Sequence, residues 1–432
     1  MRPQIAEFLK ALEETQFLAP DRMRAYQRRL LDVLLRHARS ETEFYATRLA
    51  PLFRADDSID WDRWAEIPIL MRNEARNSFA QLKARTLPEA VGNVVEDSSS
   101  GSTGEAFRHL TTGIQNFGSL CLNERFLAWH ELDPKALMAV IWAVTPASAA
   151  PWPDGRASKG LRLTDPQSPS MDLSITTPID KQIAWLTRFK PTYLTTYPSN
   201  LREIGRVAHE VGAPLSFDAV LTTGEMISDD ARCAIREYFG KEPLDRYGST
   251  EVGHMAATCP HSMKHHVAAE LVLIEIADAA GNIVPNGSEG RIIATPFYNL
   301  AMPLIRYDTG DHGIISAEPC GCGRTLPTFE RILGRERNVF RFPDGTSVWP
   351  VLESWRVQKF VPHRKFQVVQ VARDRIEYRY VPLDPNQTND LEGLNAYARA
   401  QLNVGITVTP VAVADIKPAP SGKFEDYLRL IE

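Results

Sequence analysis

The first 90 residues place apolar side chains at helical spacing among Arg, Glu and Ala. The opening stretch MRPQIAEFLKALEETQF predicts an amphipathic helix, because charged and apolar residues alternate without a long apolar core. A stretch at 59–68, IDWDRWAEIP, interrupts the helical pattern with Pro and Asp. We therefore predict a helical cap over residues 1–90.

From residue 136 the pattern changes to short apolar runs that alternate with helical segments. The most apolar run, ALMAVIWAV at 136–144, is about half of the ~20 residues that a membrane span requires, so it predicts a buried strand. The helices between the later runs are predicted to end at Gly212 and before Gly240. Such alternation is typical of a parallel sheet with crossover helices. The later runs are TYLTT (192–196), DAVLTT (218–223) and PLDRYG (243–248).

Residues 265–316 carry three apolar runs separated by the turn sequences AAGN and PNGSEG, which predicts a β subdomain of antiparallel strands. A new β-then-α pattern follows GRERN. The sequence thus predicts an α/β protein with two domains. The N-terminal domain, 1–336, has mixed and parallel sheets, and the C-terminal domain, 337–432, is a small, mobile α+β lid.

Charge and composition exclude some functions for the 432-residue chain. With 49 Lys+Arg against 54 Asp+Glu, the net charge of −5 provides no basic surface for nucleic acid. The N-terminus lacks a secretory signal, so we expect a cytoplasmic protein that does not bind membranes. The sequence does not decide whether the protein forms a homodimer.

Polar loops provide the candidate chemistry. Ser98, Ser99, Ser100, Gly101, Ser102, Thr103 and Gly104 form a segment whose hydroxyl and backbone N–H groups can surround one phosphate. It is not a Walker A loop, because no Lys-Ser/Thr follows at the required spacing. A flexible Ser/Gly linker is the alternative.

Three further loops and one lysine complete the set. Glu251, in YGSTE at 247–251, is suited to Mg²⁺ beside a phosphate, although the same residues also suit the start of a helix. TTGE at 222–225 can offer backbone atoms to a purine edge. Asp311, in YDTGD at 307–311, can accept two ribose hydroxyls, and the alternative is a plain turn. Lys423 suits an oxygen that gains charge in a transition state, although most such lysines are solvated surface groups.

The ordered motifs SSSGSTGE, TTGE, YGSTE, YDTGD, GR and SGK resemble those of the acyl-adenylate-forming superfamily. The flanking sequences TEFYATRL, IDWDRWAEIPIL, AMPLIRYDTGD and CGCGRTLPTFERILGR are most similar to phenylacetate–CoA ligases and their capsule-biosynthesis relatives. The resemblance extends over essentially the whole chain. It implies formation of an acyl-AMP from a carboxylic acid and ATP, followed by transfer of the acyl group to a thiol.

The resemblance also implies roles for individual residues. The loop from Ser98 to Gly104 would hold the β- and γ-phosphates of ATP, and Lys423 would bridge the substrate carboxylate and the α-phosphate. Thr250 and Glu251 would meet the α-phosphate and Mg²⁺. Asp311 would bind the ribose, and Arg335 the ribose or a phosphate. The residues implied around the adenine are Gly224, Glu225, Tyr247 and Gly248, with Ser249 beside them in the nucleotide site.

One position departs from the family pattern. Relatives usually carry an acidic residue two positions after GR, at the hinge of the C-terminal domain, and here Arg337 occupies it. A hinge has only to absorb a backbone change, so domain rotation remains compatible with arginine. The departure bears more on the thioester half-reaction than on adenylation.

The cysteines indicate a metal site. Cys320 and Cys322 can present two thiolates to one ion, and Cys259 with His265 or His266 can complete a tetrahedral zinc site. Counting back from the strand ELVLIEIAD places His266 where the family has its histidine, whereas counting forward from Cys259 favours His265. Unligated thiols are the alternative. The two remaining cysteines, at 121 and 233, lie in apolar helical contexts and are expected in the core.

The sequence therefore predicts an AMP-forming carboxylic acid–CoA ligase that acts on an aryl or arylacetic acid, with ATP/AMP, Mg²⁺, structural Zn²⁺ and CoA. An adenylating enzyme that passes the acyl group to a carrier-protein thiol or an amine is the first alternative. A catalytically silent nucleotide-binding protein is the second, and the presence of Glu251, Asp311 and Lys423 together argues against it. Spacing does not identify the acid, because an acyl pocket is built from scattered apolar positions.

Overall fold

The computed structural model of the chain describes residues 3–99, 107–143, 152–159, 162–419 and 421–431. Part of the predicted phosphate-binding loop lies outside these ranges, namely Ser100, Gly101, Ser102, Thr103 and Gly104.

Helices and strands of the described residues are numbered in chain order. The helices are α1 (Pro3–Thr15), α2 (Pro20–Glu41), α3 (Glu43–Arg48), α4 (Arg72–Asn77), α5 (Phe79–Leu82), α6 (Gly113–Trp129), α7 (Ile179–Phe189), α8 (Pro198–Glu210), α9 (Asp229–Phe239), α10 (Ser354–Val357) and α11 (Leu391–Leu402). The strands are β1 (Val94–Ser99), β2 (Phe107–Thr112), β3 (Met138–Trp142), β4 (Arg156–Lys159), β5 (Pro169–Ser174), β6 (Tyr193–Thr196), β7 (Ala219–Thr223), β8 (Leu244–Ser249), β9 (Gly253–Thr258), β10 (His265–Val267), β11 (Val272–Ala277), β12 (Glu289–Pro296), β13 (Tyr307–Ile315), β14 (Thr328–Arg335), β15 (Phe340–Arg341), β16 (Ser347–Val348), β17 (His363–Ala372), β18 (Arg375–Pro382), β19 (Thr407–Ala412) and β20 (Tyr427–Arg429).

One compact unit consists of Met1–Met138, Ala157–Met171 and Leu244–Ile332. Its strands lie in the order β11-β12-β13-β14-β10-β9-β8. Helices α1 to α5 fall within the first 90 residues, where the sequence predicts helices. The buried residues of α2 recur at helical spacing and therefore form one apolar face. This face packs in the same hydrophobic core as residues of the strands.

The second compact unit consists of Ala139–Arg156, Asp172–Pro243 and Leu333–Glu432. In it β3, β6 and β7 lie side by side, and β6 and β7 pair in parallel, as the sequence predicts. Helix α8 ends at Glu210 just before Gly212, and α9 ends at the left-handed Gly240. Both glycines therefore stop helices where the pattern indicates.

The C-terminal residues form a sheet of their own. Its strand order is β19-β18-β17-β20, in which β17 and β18 are antiparallel and the two outer pairs are parallel. Residues from Phe340 to Tyr427 form a separate hydrophobic core with α10 and α11. The predicted α/β class, with a large mixed sheet and a smaller C-terminal sheet, is confirmed. The predicted domain boundary between residues 336 and 337 stays a prediction.

Several predicted loops are strands. Ser98 and Ser99, which the sequence places in a loop, are the last residues of β1, and they pair with Arg108 and Phe107 of the antiparallel β2. Tyr247, Gly248 and Ser249 belong to β8, and a second strand follows where the alternative reading expects a helix. Residues 307–311 belong to β13, where a register shift against β12 takes up the glycine of the motif.

Strands β11, β12 and β13 pair antiparallel, as the turn sequences between them predict, whereas a β subdomain over 265–316 stays a prediction. Of the two cysteines expected in the core, Cys121 is buried, but Cys233 is exposed, so the prediction for Cys233 is wrong. Helix α9 is amphipathic, and Cys233 is not among the residues that it buries.

Candidate active site

The YGSTE segment joins β8 to β9 through a tight connection. A Cβ atom at Gly248 would lie 2.5 Å from the carbonyl oxygen of Gly253, so only glycine lets the two backbones approach this closely. Ser249 accepts a hydrogen bond from the backbone N–H of Val252 at 3.2 Å. The connection therefore has a fixed shape, and it presents Thr250 at the surface and Glu251 to the interior.

Two tyrosine–carboxylate hydrogen bonds connect the YGSTE and YDTGD segments. The hydroxyl of Tyr247 donates to Oδ2 of Asp311 at 2.8 Å. The hydroxyl of Tyr307 donates to Oε1 of Glu251 at 3.1 Å. Each segment thus provides the tyrosine that fixes the carboxylate of the other.

Glu251 is a buried, ionised carboxylate. Its residue is 3% exposed, and Nη1 of Arg72 lies 3.0 Å from Oε1 while Thr250 donates its hydroxyl to Oε2 at 3.1 Å. Burial is the largest influence and raises the pKa of Glu251, but Arg72 and the hydrogen bonds outweigh it and hold the pKa below the ordinary value. A negative charge is therefore maintained at this position at neutral pH.

Two residues that the sequence motifs do not mark hold Glu251 in place. Arg72 on α4 is 179 residues away in sequence, and its guanidinium also stacks over the ring of Phe107 at 5.1 Å. Gln115 on α6 donates from Nε2 to the backbone carbonyls of Glu251 and Val252 at 3.3 and 3.2 Å. No local motif marks either residue, because their partners are brought near by the fold alone.

The two acids of YDTGD differ in their surroundings. Asp308 is 4% exposed and forms an ion pair with Arg291 at 2.8 Å. Asp311 is only partly buried, and its backbone N–H donates to the hydroxyl of Thr309 at 3.2 Å. Asp311 is therefore the more accessible of the two acids, and its predicted role at the ribose stays a prediction.

Gly224 and Glu225 lie just after β7. Gly224 has φ +84°, and an added Cβ would lie 2.8 Å from Tyr197 and 2.9 Å from Trp142, so two aromatic rings close over this glycine. Both carboxylate oxygens of Glu225 are occupied: Oε1 accepts from the hydroxyl of Ser199 at 3.0 Å, and Oε2 from its backbone N–H at 3.1 Å. Glu225 thereby caps the first turn of α8.

Lys423 lies in a tight turn. The turn is closed by backbone hydrogen bonds from Ala419 N–H to the Lys423 carbonyl at 2.9 Å and from Gly422 N–H to the Ala419 carbonyl at 2.8 Å. The ammonium of Lys423 lies 6.0 Å from the ring centroid of Tyr197. Arg335 is the last residue of β14, next to Gly334, at which an added Cβ would lie 3.0 Å from the sulfur of Met226. Gly224, Glu225, Arg335 and Lys423 all belong to the second compact unit.

Three cysteines and one histidine form a compact cluster in the first unit. The ligand atoms of Cys259, His266, Cys320 and Cys322 lie within 4.8 Å of one another. The sulfurs of Cys259 and Cys320 are 3.7 Å apart, close to the ~3.8 Å that tetrahedral coordination at ~2.3 Å requires. Nε2 of His266 is 3.2 Å from the Cys322 sulfur.

A hydrogen bond from outside the cluster orients its histidine. Nδ1 of His266 lies 3.2 Å from the Leu326 carbonyl oxygen, to which it can donate its proton, so Nε2 is left to face the sulfurs. The neighbouring His265 is turned away, and its Nε2 lies 2.9 Å from Oδ2 of Asp245. The structure thus brings His266, and not His265, to the cysteines.

No protein-family model matches the chain. Among curated proteins, the phenylacetate–coenzyme A ligase of Thermus thermophilus is 26% identical over 200 residues, 44% of this chain and 44% of that protein. The fumarate–(S)-2,3-diaminopropanoate ligase of Enterobacter agglomerans is 25% identical over 205 residues, 45% of this chain and 50% of that protein. Among solved structures, 2-hydroxyisobutyryl-CoA ligase in its postadenylation state matches with a TM-score of 0.76 at 18% identity, covering 97% of this chain and 91% of that one.

The resemblance to the acyl-adenylate-forming superfamily is confirmed. The chain is phenylacetate–CoA ligase-like in sequence and has the fold of 2-hydroxyisobutyryl-CoA ligase. This phenylacetate–CoA ligase-like chain spans about half the length of the curated relatives that it matches. No helix in the described part of the chain combines the length and the apolar character that crossing a membrane demands.

Proposed function

We propose that the chain is an ATP-dependent, AMP-forming ligase that joins an aryl or arylacetic acid to coenzyme A through an acyl-adenylate. The observation that carries this proposal is the pair of tyrosine–carboxylate hydrogen bonds between the YGSTE and YDTGD segments. These bonds hold two carboxylates that serve different parts of a nucleotide, Asp311 for the ribose and Glu251 for the phosphate end. The similarity to the phenylacetate–coenzyme A ligase of Thermus thermophilus supports the choice of acid and acceptor.

In this proposal the nucleotide is held by backbone and side chains from several strand ends. Gly224, Glu225, Tyr247 and Gly248 line the adenine, with Ser249 next to them. Asp311 accepts the ribose hydroxyls, and Arg335 binds the ribose or a phosphate. The segment from Ser98 to Gly104 binds the outer phosphates.

Adenylation is an in-line displacement in which positioning and charge neutralisation lower the barrier. A carboxylate oxygen of the acid attacks the α-phosphorus, the bond to the β-phosphate oxygen breaks, and pyrophosphate leaves. Lys423 bridges the acid and the α-phosphate and neutralises charge that grows in the transition state. The thiol sulfur of coenzyme A then attacks the acyl carbon, its proton is lost, and AMP leaves with the electrons of the broken bond.

Glu251 fits a magnesium ligand. Mg²⁺ binds ionised carboxylate oxygens, and the lowered pKa of Glu251 keeps it ionised. Thr250, whose hydroxyl donates to the same carboxylate, completes this part of the site. A bound Mg²⁺ would neutralise phosphate charge. Within the protein, Arg72 and Tyr307 keep the carboxylate in place for it.

The cysteine cluster fits a structural zinc ion. Cys259, His266, Cys320 and Cys322 supply the three thiolates and one imidazole of a closed site, and the Leu326 carbonyl orients the histidine. We propose that Zn²⁺ stabilises the segment that leads to β14 and Arg335 and takes no part in the chemistry. The cytoplasmic location stays a prediction of the sequence.

An amine acceptor is the second candidate. The fumarate–(S)-2,3-diaminopropanoate ligase is 25% identical over 205 residues, and its name joins an acid to an amino compound. The adenylation step is the same in both proposals, so only the second half-reaction distinguishes them. A carrier-protein thiol would replace coenzyme A at the same step.

The two proposals are tested by ATP–pyrophosphate exchange with a panel of acids that includes phenylacetate and benzoate. We expect exchange with an aryl or arylacetic acid and, on addition of coenzyme A, consumption of its thiol. Exchange without consumption of coenzyme A would favour the amine or carrier protein. Absence of exchange with every acid, when the protein is folded and supplied with Mg²⁺, would overturn adenylation.

A further inference from the structure

The three residues that follow Lys423 are each bound to a different part of the second unit. Asp426 forms a two-pronged ion pair with Arg202 on α8, with Oδ1 to Nη2 at 2.8 Å and Oδ2 to Nη1 at 3.2 Å. The side chains of Arg202 and Asp426 are 21% and 13% exposed. A planar, partly buried pair of this kind fixes geometry as well as charge.

Asp426 has a second partner at the start of α9. The hydroxyl of Ser228 donates to Oδ2 of Asp426 at 3.1 Å. Ser228 is also the N-cap of α9, since its side chain accepts from the backbone N–H of Ala231 at 3.2 Å. The carboxylate of Asp426 is therefore held between α8 and the beginning of α9.

Phe424 is bound through its backbone. Its N–H donates to Oε1 of Glu225 at 2.6 Å, and the same oxygen accepts from the hydroxyl of Ser199. Because Phe424 directly follows Lys423, this hydrogen bond fixes the peptide next to the lysine. Burial raises the pKa of Glu225 to about 7, while the bonds from Phe424 and Ser199 oppose that rise.

Glu425 is bound by the residue that departs from the family pattern. Arg337 forms an ion pair with Glu425, and both side chains are partly buried. An acidic residue at position 337 would repel Glu425. Arginine at this position therefore gives the segment after Lys423 a further anchor.

We propose that three positioning residues hold Lys423 for adenylation by binding the residues that follow it. Arg202 binds Asp426, Glu225 binds the backbone of Phe424, and Arg337 binds Glu425. We name these six residues the lysine clamp. The inference rests on the proposed function, since it gives Lys423 its role in acyl-AMP formation. The six residues act by holding Lys423 in position, and they do not themselves act on the reacting atoms. Breaking it should lower the rate of adenylation and spare thioester formation, which does not use Lys423.

The test compares Asp426→Asn with Asp415→Asn. Asp415 lies in the same C-terminal segment, but its carboxylate is 51% exposed and pairs with Lys365. We expect Asp426→Asn to slow pyrophosphate exchange by ~10-fold or more, because a partly buried Arg202 loses its charge partner. Thioester formation from supplied acyl-AMP should change less than about twofold in Asp426→Asn, because that step does not use Lys423. Asp415→Asn should change neither half-reaction by more than about twofold, since the loss of an exposed charge has little effect.

Rescue and amide exchange separate positioning from general damage. The double variant Arg202→Asp with Asp426→Arg restores opposite charges, so it should recover part of the lost exchange rate. Hydrogen–deuterium exchange of a peptide covering residues 421–427 should speed up in Asp426→Asn and stay slow in Asp415→Asn. Circular dichroism checks that both variants are folded.

Equal loss of both half-reactions, or unchanged amide exchange in Asp426→Asn, would overturn the clamp. The amide-exchange result does not depend on activity. If the wild-type protein shows no pyrophosphate exchange with any acid, the proposed function fails, while fast exchange of residues 421–427 in Asp426→Asn would still establish the clamp contacts.

Discussion

Tyr247 and Asp311 are joined by a hydrogen bond of 2.8 Å across 64 residues of sequence. Their strands, β8 and β13, are not neighbours, because β14, β10 and β9 lie between them in the sheet order. The bond therefore spans strands that make no backbone ladder with each other. With the bond from Tyr307 to Glu251, it makes the geometries of the YGSTE and YDTGD segments depend on one another.

Replacing Tyr247 by Phe should weaken ATP binding. In the proposed site the ring at position 247 still lines the adenine, but Asp311, the proposed ribose ligand, loses the hydroxyl donor that orients it. Because one hydrogen bond to a charged group is lost, we expect the KM for ATP to rise about 5- to 10-fold with little change in kcat. Steady-state kinetics with varied ATP measures both. A variant that lowers kcat and leaves KM unchanged would contradict this role.

Replacing Glu251 by Gln should abolish turnover without unfolding the protein. The amide removes the negative charge that a magnesium ligand requires, and it also removes the ion pair between Glu251 and Arg72. Pyrophosphate exchange and circular dichroism measure the two effects. Tyr307→Phe serves as the matched control, since it removes one hydrogen bond to Glu251 and keeps the charge. Wild-type exchange in Glu251→Gln would reduce the residue to a structural acid.

Local patterns in the sequence predicted the elements well. The ends of α8 and α9 follow from Gly212 and Gly240, and the parallel pair β6 and β7 follows from alternating strands and helices. The structure of the YDTGD motif is harder to predict, because the glycine and polar residues that suggest a turn also occur at a β-bulge or similar irregularity within a strand. Composition alone does not separate these two outcomes.

The partners of the candidate site could not be predicted. Arg72 and Gln115 reach Glu251 only through the packing of α4 and α6, and no spacing in the sequence records that contact. The choice between His265 and His266 needed the strand itself, because adjacent residues on a strand point to opposite faces. One of them faces the cysteines and the other faces Asp245.

Replacing Lys423 by Ala should cut acyl-AMP formation by ~10²- to 10³-fold, the effect of losing one preorganised charged donor. ATP affinity should change little, because in the proposed mechanism the charge that Lys423 neutralises develops only during the reaction. Thioester formation from preformed acyl-AMP should survive. Rapid-quench measurement of the two half-reactions decides the matter, and equal loss in both would contradict the assignment.

Glu225 should make stability depend on pH. Burial raises its pKa from 4.5 to about 7, so between these pH values the native protein holds a proton that the unfolded chain has released. Its contribution to the free energy of unfolding is complete below pH 4.5 and is lost as the pH rises through about 7. Glu225→Gln cannot titrate, so its stability should fall less over this window.

Urea unfolding at several pH values between 5 and 8 measures the difference. Asp415→Asn is the control, because it removes an exposed carboxylate of the C-terminal segment and leaves Glu225 in place. Parallel curves for wild type and Glu225→Gln would mean that Glu225 is ionised in the native protein throughout.

The two adjacent histidines provide a matched test of the zinc site. His266→Ala removes one of four ligands, whereas His265→Ala removes a partner of Asp245 and leaves the cluster intact. We expect one zinc per chain in the wild type and in His265→Ala, and little zinc in His266→Ala, by elemental analysis of protein purified without added metal.

Because binding energy at a closed site adds to folding, loss of zinc should lower the melting temperature and the soluble yield, as should Cys320→Ser and Cys322→Ser. Chelators or acid should reproduce the effect in the wild type, since thiolate ligands must stay deprotonated. Fully active wild-type protein that contains no zinc would contradict the proposed metal site and would leave the cluster as three free thiols beside a histidine.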